Sequence, residues 1–139
     1  KEYIKTARAR LVRGGFIKIE SGYAELTPKG EAVLRRLELM NYKIKEPRRW
    51  DKKWRLLIFD IPEKRKKNRE EVRRILFGIG FVRLQDSAWL YPYPCEEIVT
   101  LLKVEFALNK ELLYLIVDTF DGERTAACQF NLERYLSKP

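Results

Sequence analysis

No histidine occurs anywhere in the 139 residues. Imidazole is the usual general base at neutral pH and a frequent zinc ligand, so Ser-His-Asp and Cys-His catalysis and His-ligated zinc are excluded. Cysteine is scarce, with only Cys95 and Cys128. Two thiols cannot complete a four-cysteine zinc site within one chain, and these lack the CxxC spacing; they are expected to be reduced, unremarkable thiols of a cytoplasmic protein. Apolar runs are short, and none approaches the ~20 residues of a membrane span or the length of a leader's apolar core. No membrane partner is therefore expected. The first residue is Lys1 rather than Met, so a trimmed or truncated chain is expected.

Acidic side chains are in deficit, with 20 Asp+Glu against 29 Lys+Arg and a net charge of +9. Residues 1–53 hold 15 Lys+Arg and 7 Asp+Glu, whereas residues 54–139 are nearly balanced. A basic module followed by a near-neutral one suggests a nucleic-acid reader joined to a module that assembles or senses. A 45% hydrophobic content supports real cores, in one ordinary domain or two small ones.

The basic part has helical periodicity over residues 2–13, where Ile4, Ala7, Leu11 and Val12 recur. The opposite face is read as carrying Lys1, Lys5, Arg8, Arg10 and Arg13, and Gly14-Gly15 stops the helix. Residues 16–20 and 23–26 predict a short hairpin turning at Ser21-Gly22. Thr27-Pro28 opens a second helix with Thr27 as N-cap and Ala32, Val33, Leu37 and Met40 as its apolar stripe. Helix, hairpin, helix is the latter part of a winged helix. Residues 1–43 are assigned to it, and residues 44–53, with Pro47 and a charge run, to a basic linker in which Trp50 could anchor on a neighbouring surface.

Residues 54–139 predict β-α-β-β-α-β. Residues 54–61 are a near-continuous apolar run, the mark of a central strand, ended by Pro62. Residues 68–79 form a helix, 81–85 and 87–91 two short strands meeting near Asp86, 94–108 a helix, 112–117 a strand and 123–136 a final helix. That order fits a ferredoxin-like sheet, so the fold class expected is α+β. Two helices would cover one face of the sheet. The other needs a cover, which predicts a homodimer unless the first module supplies it.

Two stretches resemble a known family. Residues 4–17 (IKTARARLVRGGFI) and 23–30 (YAELTPKG) resemble the recognition helix and wing of PaaX-type transcriptional repressors. Residues 50–63 (WDKKWRLLIFDIPE) and 80–89 (GFVRLQDSAW) look like the central domain of that family, whose fold is shared with the small CRISPR-associated endonuclease family called Cas-two. A free-standing Cas-two protein would begin near Trp54, so the preceding basic module favours the regulator. On this resemblance the first two helices of the winged helix and a third domain would lie outside the chain.

The resemblance implies a DNA-binding transcriptional regulator, a repressor, that binds double-stranded DNA as a homodimer, with its effector unspecified. Lys5, Thr6 and Arg8 would enter the major groove, while Arg10, Arg13 and Lys18 would touch phosphates. Lys64, Arg65, Lys66 and Lys67 are either a second phosphate contact or a solvated helix start diluted by Glu63, Glu70 and Glu71. The alternative is a Mg²⁺-dependent nuclease or spacer-acquisition subunit, in which Asp60 from two copies would hold one ion that activates water. Against that, Asp60 could simply end its strand before Pro62. Gln85 and Ser87 are read as satisfying backbone or interface groups, and Trp89, Tyr91 and Tyr93 as core or interface rather than a base-stacking platform.

Overall fold

The structure is a computed structural model that describes residues 2–137; the side chains of residues 2–5 and 7 lie outside the description. The chain divides into two compact units, Lys1–Leu39 and Met40–Pro139.

In the first unit, α1 (Glu2–Arg13) is followed by β1 (Ile17–Glu20) and β2 (Tyr23–Leu26), which pair antiparallel with Ile17 opposite Leu26 and Glu20 opposite Tyr23, and then by α2 (Pro28–Met40). The joint between α1 and α2 is tied by side chains. Thr27 caps α2 by accepting the Gly30 amide at 3.1 Å, and its hydroxyl donates to the Gly15 carbonyl at 2.6 Å. Lys29 donates to the Gly14 carbonyl at 2.8 Å while its ammonium lies 4.6 Å from the centre of the Phe16 ring. Gly30 is buried against the Phe16 carbonyl, where a Cβ would come within 2.0 Å of that oxygen. Leu11, Val33, Leu34 and Leu37 remain exposed and line an apolar groove with Phe16 and Leu26.

The second unit is a four-stranded antiparallel sheet in the order β4-β5-β3-β6, built from β3 (Trp54–Phe59), β4 (Val82–Gln85), β5 (Ala88–Tyr91) and β6 (Leu112–Val117). Helix α3 (Lys66–Ile79) joins β3 to β4, and α4 (Glu96–Glu105) joins β5 to β6. This is the ferredoxin-like arrangement: each strand-helix-strand half straddles a strand of the other. Alternation along β3 sorts the two faces. Leu57 and Phe59 belong to the helix-side core with Val72, Ile75 and Leu76 of α3 and Ile98 and Leu102 of α4, all buried. Gly80 ends α3 with φ +116°, its amide bonded to the Leu76 and Phe77 carbonyls, a backbone that suits a residue without Cβ.

The opposite face is covered in part by the chain itself. Trp54, Leu90 and Trp50 pack with Ala126 and Ala127 of α5 (Glu123–Gln129) and with Leu132, and Phe120, Phe130 and Tyr135 border this cluster. One expectation changes here. The final helix expected over residues 123–136 ends at Gln129, because Asn131 adopts φ +57° and the Leu132 amide folds back onto the Ala127 carbonyl at 2.8 Å. Asparagine tolerates that conformation, and the bend lets Leu132 enter the core. A short 3-10 turn, Glu133–Tyr135, follows. Trp50, expected to anchor the stretch before β3 on a neighbouring surface, packs into this cluster. Trp50 is only 4% exposed, its ring centre 4.7 Å from that of Trp54, and its indole donates to the Lys53 carbonyl at 2.8 Å.

Coverage of that face reaches only Val117 at the end of β6. Leu113 and Leu115 share the face of Val117, yet they are 55% and 36% exposed on an edge strand.

Candidate functional site

The positive side chains of the first unit sort by helix geometry. Spacings of four and three place Thr6, Arg10 and Arg13 along one side of α1, and Arg8, midway between Thr6 and Arg10, falls on the other. All four are exposed. Among the described residues no carboxylate pairs with Arg8, Arg10 or Arg13, so their charge faces solvent. The Lys5 side chain lies outside the described residues. Lys18 is on β1 with its ammonium 3.5 Å from Glu20 and 3.8 Å from Glu25, and those two carboxylates offset its charge locally.

The second basic group divides as well. Lys64, Lys66 and Lys67 are exposed at the start of α3. Arg65 is bound internally: it pairs with Glu111 at 3.3 Å and donates to the carbonyls of Phe106 and Ala107 just past α4. There it closes the C-terminal end of a helix, where cations are favoured. Hydrogen bonds from the Asn109 amide and the Glu111 amide, together with Arg65, hold the Glu111 carboxyl below the ordinary glutamate value.

Asp60 follows β3. Its amide donates to the Glu111 carbonyl at 2.8 Å and its carboxylate is exposed. A hard divalent cation takes about six oxygen ligands. No group of three His, Cys, Asp or Glu able to hold a metal occurs among the described residues, and the neighbouring Glu111 is already engaged by Arg65.

Gln85 and Ser87 flank the turn between β4 and β5; the Ser87 carbonyl accepts the Phe59 amide at 2.9 Å, which carries the β3 ladder past the strand end. Trp89 and Tyr91 are buried, and Tyr93 is partly so. The Tyr91 ring stacks on Phe81 with centres 4.8 Å apart. Cys95 is buried and its thiol is pushed up to about 12, chiefly by desolvation, while Cys128 is exposed and unpaired. Both are free thiols.

One feature went unread in the sequence. Arg55, inside an apparently apolar strand, is 4% exposed and grips Asp51 with both terminal nitrogens, at 2.8 and 2.6 Å, while also donating to the Lys53 and Pro92 carbonyls. The run between Tyr42 and Trp54 exposes Lys43, Lys45, Arg48, Arg49 and Lys52; its charge and an anchoring role for Trp50 were both legible.

Comparison with known proteins returns one family. Residues 47–128 match the family described as the PaaX protein central Cas2-like domain. No curated protein matches the chain. The match runs from just before Trp50 through β3 and both βα halves into α5, so it takes in the whole sheet and, of the partial cover on its second face, Trp50, Ala126 and Ala127. On that match the chain belongs to the PaaX protein family.

Proposed function

We propose that this chain is a DNA-binding transcriptional regulator, a repressor, in which the first unit contacts duplex DNA and the second pairs two copies. The observation that carries the reading is the ridge of Thr6, Arg10 and Arg13 on α1. Its arginines have no carboxylate partner among the described residues, and a β-ribbon follows directly. Guanidinium groups free of internal partners can neutralise phosphates and release counterions. Membership of the PaaX family supports a regulator of this type.

In this reading Arg10 and Arg13 meet phosphates, Thr6 and Lys5 stand nearest base edges, and Arg8 and Lys18 contribute less. Lys64, Lys66 and Lys67 offer a second phosphate contact, with Arg65 reserved for Glu111. Two copies join through β6, whose Leu113 and Leu115 form an apolar strip on an unpaired strand edge. A two-fold assembly would read a pseudo-palindromic operator, in a cytoplasmic setting. The test is titration of the full chain onto fluorescent duplexes in low and moderate salt, with light scattering in parallel. Salt-sensitive binding by a dimer is expected; binding indifferent to salt, or a strictly monomeric chain at micromolar concentration, overturns the proposal.

The nuclease alternative draws on one observation, the exposed Asp60 carboxylate at the end of a central strand. It requires a second copy to complete the ligand set. Equal Mg²⁺-dependent cleavage by wild type and Asp60→Asn removes it.

A further inference from the structure

The segment between α2 and β3 carries Lys43, Lys45, Arg48, Arg49, Lys52 and Lys53 against Glu46 and Asp51. Residues 54–139 are nearly balanced, so the positive excess of the second unit is concentrated in this segment. All six cations are exposed, and none has an ion-pair partner among the described residues. Elsewhere in the same unit, Arg65, Arg69 and Arg83 are each matched to a carboxylate. No part of the proposed function uses the segment.

Two features distinguish it from a loose charge run. First, one of its two carboxylates is already engaged. Asp51 is gripped at 2.8 and 2.6 Å by the buried Arg55, which leaves Glu46 as the one remaining carboxylate beside six cations. Second, its path is fixed. Tyr42 and Ile44 are half-buried and alternate with the exposed Lys43 and Lys45. Further on, Trp50 is buried in the core cluster and its indole donates to the Lys53 carbonyl at 2.8 Å. The Asp51 carboxylate also accepts the Lys53 amide at 3.0 Å, closing a tight turn that holds Lys52 at φ +64°. A lysine rarely adopts that left-handed backbone, and it persists where the flanking contacts impose it. Cations carried on an anchored backbone lose less freedom on binding than those of a mobile tail.

The arrangement selects the ligand. A small anion needs donors that converge in a pocket. Single cations repeated along an exposed segment suit an anion whose charge is itself repeated, such as a phosphate backbone. The segment follows α2 directly in the chain, so a duplex held by α1 meets it at high effective concentration.

We propose that residues 43–53 form a further phosphate-binding strap. Arg48, Arg49 and Lys52, with Lys43, Lys45 and Lys53 beside them, track the backbone of duplex DNA without reading its bases. The proposal rests on the reading of this chain as a DNA binder, and its test separates the failure of one from the failure of the other.

The full chain is titrated onto a duplex of arbitrary sequence across a salt series. It is compared with the triple variant Arg48→Gln, Arg49→Gln, Lys52→Gln and with the double variant Arg10→Gln, Arg13→Gln. Glutamine is tolerated at exposed positions, and circular dichroism confirms an unchanged fold. The slope of log Kobs against log salt should become shallower by about one for each phosphate contact removed, so by about two to three in the triple variant. Lysine acylation read by mass spectrometry should show Lys43, Lys45, Lys52 and Lys53 protected by the duplex in wild type. If the triple variant keeps the wild-type slope while the double variant loses part of it, the strap falls and the reading of α1 stands. The reverse pattern removes α1 and leaves the strap. Wild-type binding that is indifferent to salt overturns both. Unprotected strap lysines overturn the strap whatever the slopes. So does binding to anionic lipid vesicles that the triple variant loses with its duplex slope unchanged, which would assign these cations to a membrane surface.

Discussion

At the scale of single residues, Arg55 sets a demanding condition. A guanidinium removed from water needs a carboxylate and well-placed acceptors, because leaving one member of such a pair alone is more damaging than replacing both. Arg55 has the Asp51 carboxylate on two nitrogens and two backbone carbonyls besides. Asp51→Asn keeps the shape and loses the charge; it should lower the second unit's unfolding free energy by about 1–2 kcal/mol in urea denaturation, a value kept small because Asp51 is partly exposed. An unchanged midpoint would mean that water replaces the carboxylate without loss. The same pair sets a pH dependence. The bond from Arg55 holds the Asp51 carboxyl below the ordinary aspartate value. Its contribution is therefore complete above the unfolded aspartate range and is lost as pH falls through the lowered folded value. Stability measured from neutral pH into acid should fall less steeply in Asp51→Asn than in wild type. Neither residue was legible in advance: Arg55 sits in WRLLIF, where five apolar neighbours mark a buried strand, and no local pattern shows that an aspartate four residues earlier curls back to meet it.

Among the elements, α2 depends on one close approach. Gly30 admits the Phe16 carbonyl where any Cβ would collide with it. Gly30→Ala must push α2 away from the Gly14–Phe16 joint and disrupt the Thr27 and Lys29 bonds with it. A destabilisation of about 2 kcal/mol or more is expected in the first unit, at the scale of an overpacked core site. Hydrogen exchange should show faster exchange across residues 17–40 with β3–β6 unchanged; uniform change across both units would contradict this. Gly80→Ala forces a left-handed cap onto a residue with a Cβ and should cost about 1 kcal/mol in the second unit alone. Most elements were readable from the sequence because their signals are local: Thr27-Pro28 marks a helix start, Gly80 a helix end, and the apolar run of residues 54–61 a buried strand, observed over Trp54–Phe59. The errors were made where tertiary packing decides. Residues 130–136 have helical composition, but burial of Leu132 and the left-handed Asn131 break them. Trp50, expected to anchor a stretch marked by Pro47 and a charge run, does so by joining the core. Of the candidate site, the basic character of α1 was legible. The occupation of Arg65 by Glu111 and of Lys18 by its strand neighbours was not, because each depends on residues brought near by the fold.

For the whole molecule, the account joins two requirements: a cationic surface in the first unit and an association surface in the second. The second is tested by Leu113→Lys with Leu115→Lys, which places charge on exposed edge positions without touching the buried core. The doubly substituted chain should stay folded, sediment as a monomer where wild type is a dimer, and bind a two-site duplex with affinity no better than a one-site duplex. A variant that still dimerises would move the association surface elsewhere. The first requirement is the centre of the account, and the slope of log Kobs against log salt for the full chain on duplex DNA tests it most directly. The wild-type slope should be steeply negative, and Arg10→Gln with Arg13→Gln should make it shallower by about one for each phosphate contact removed. An identical slope in the two proteins, with both folded, would contradict the assignment of α1 as the surface that meets DNA.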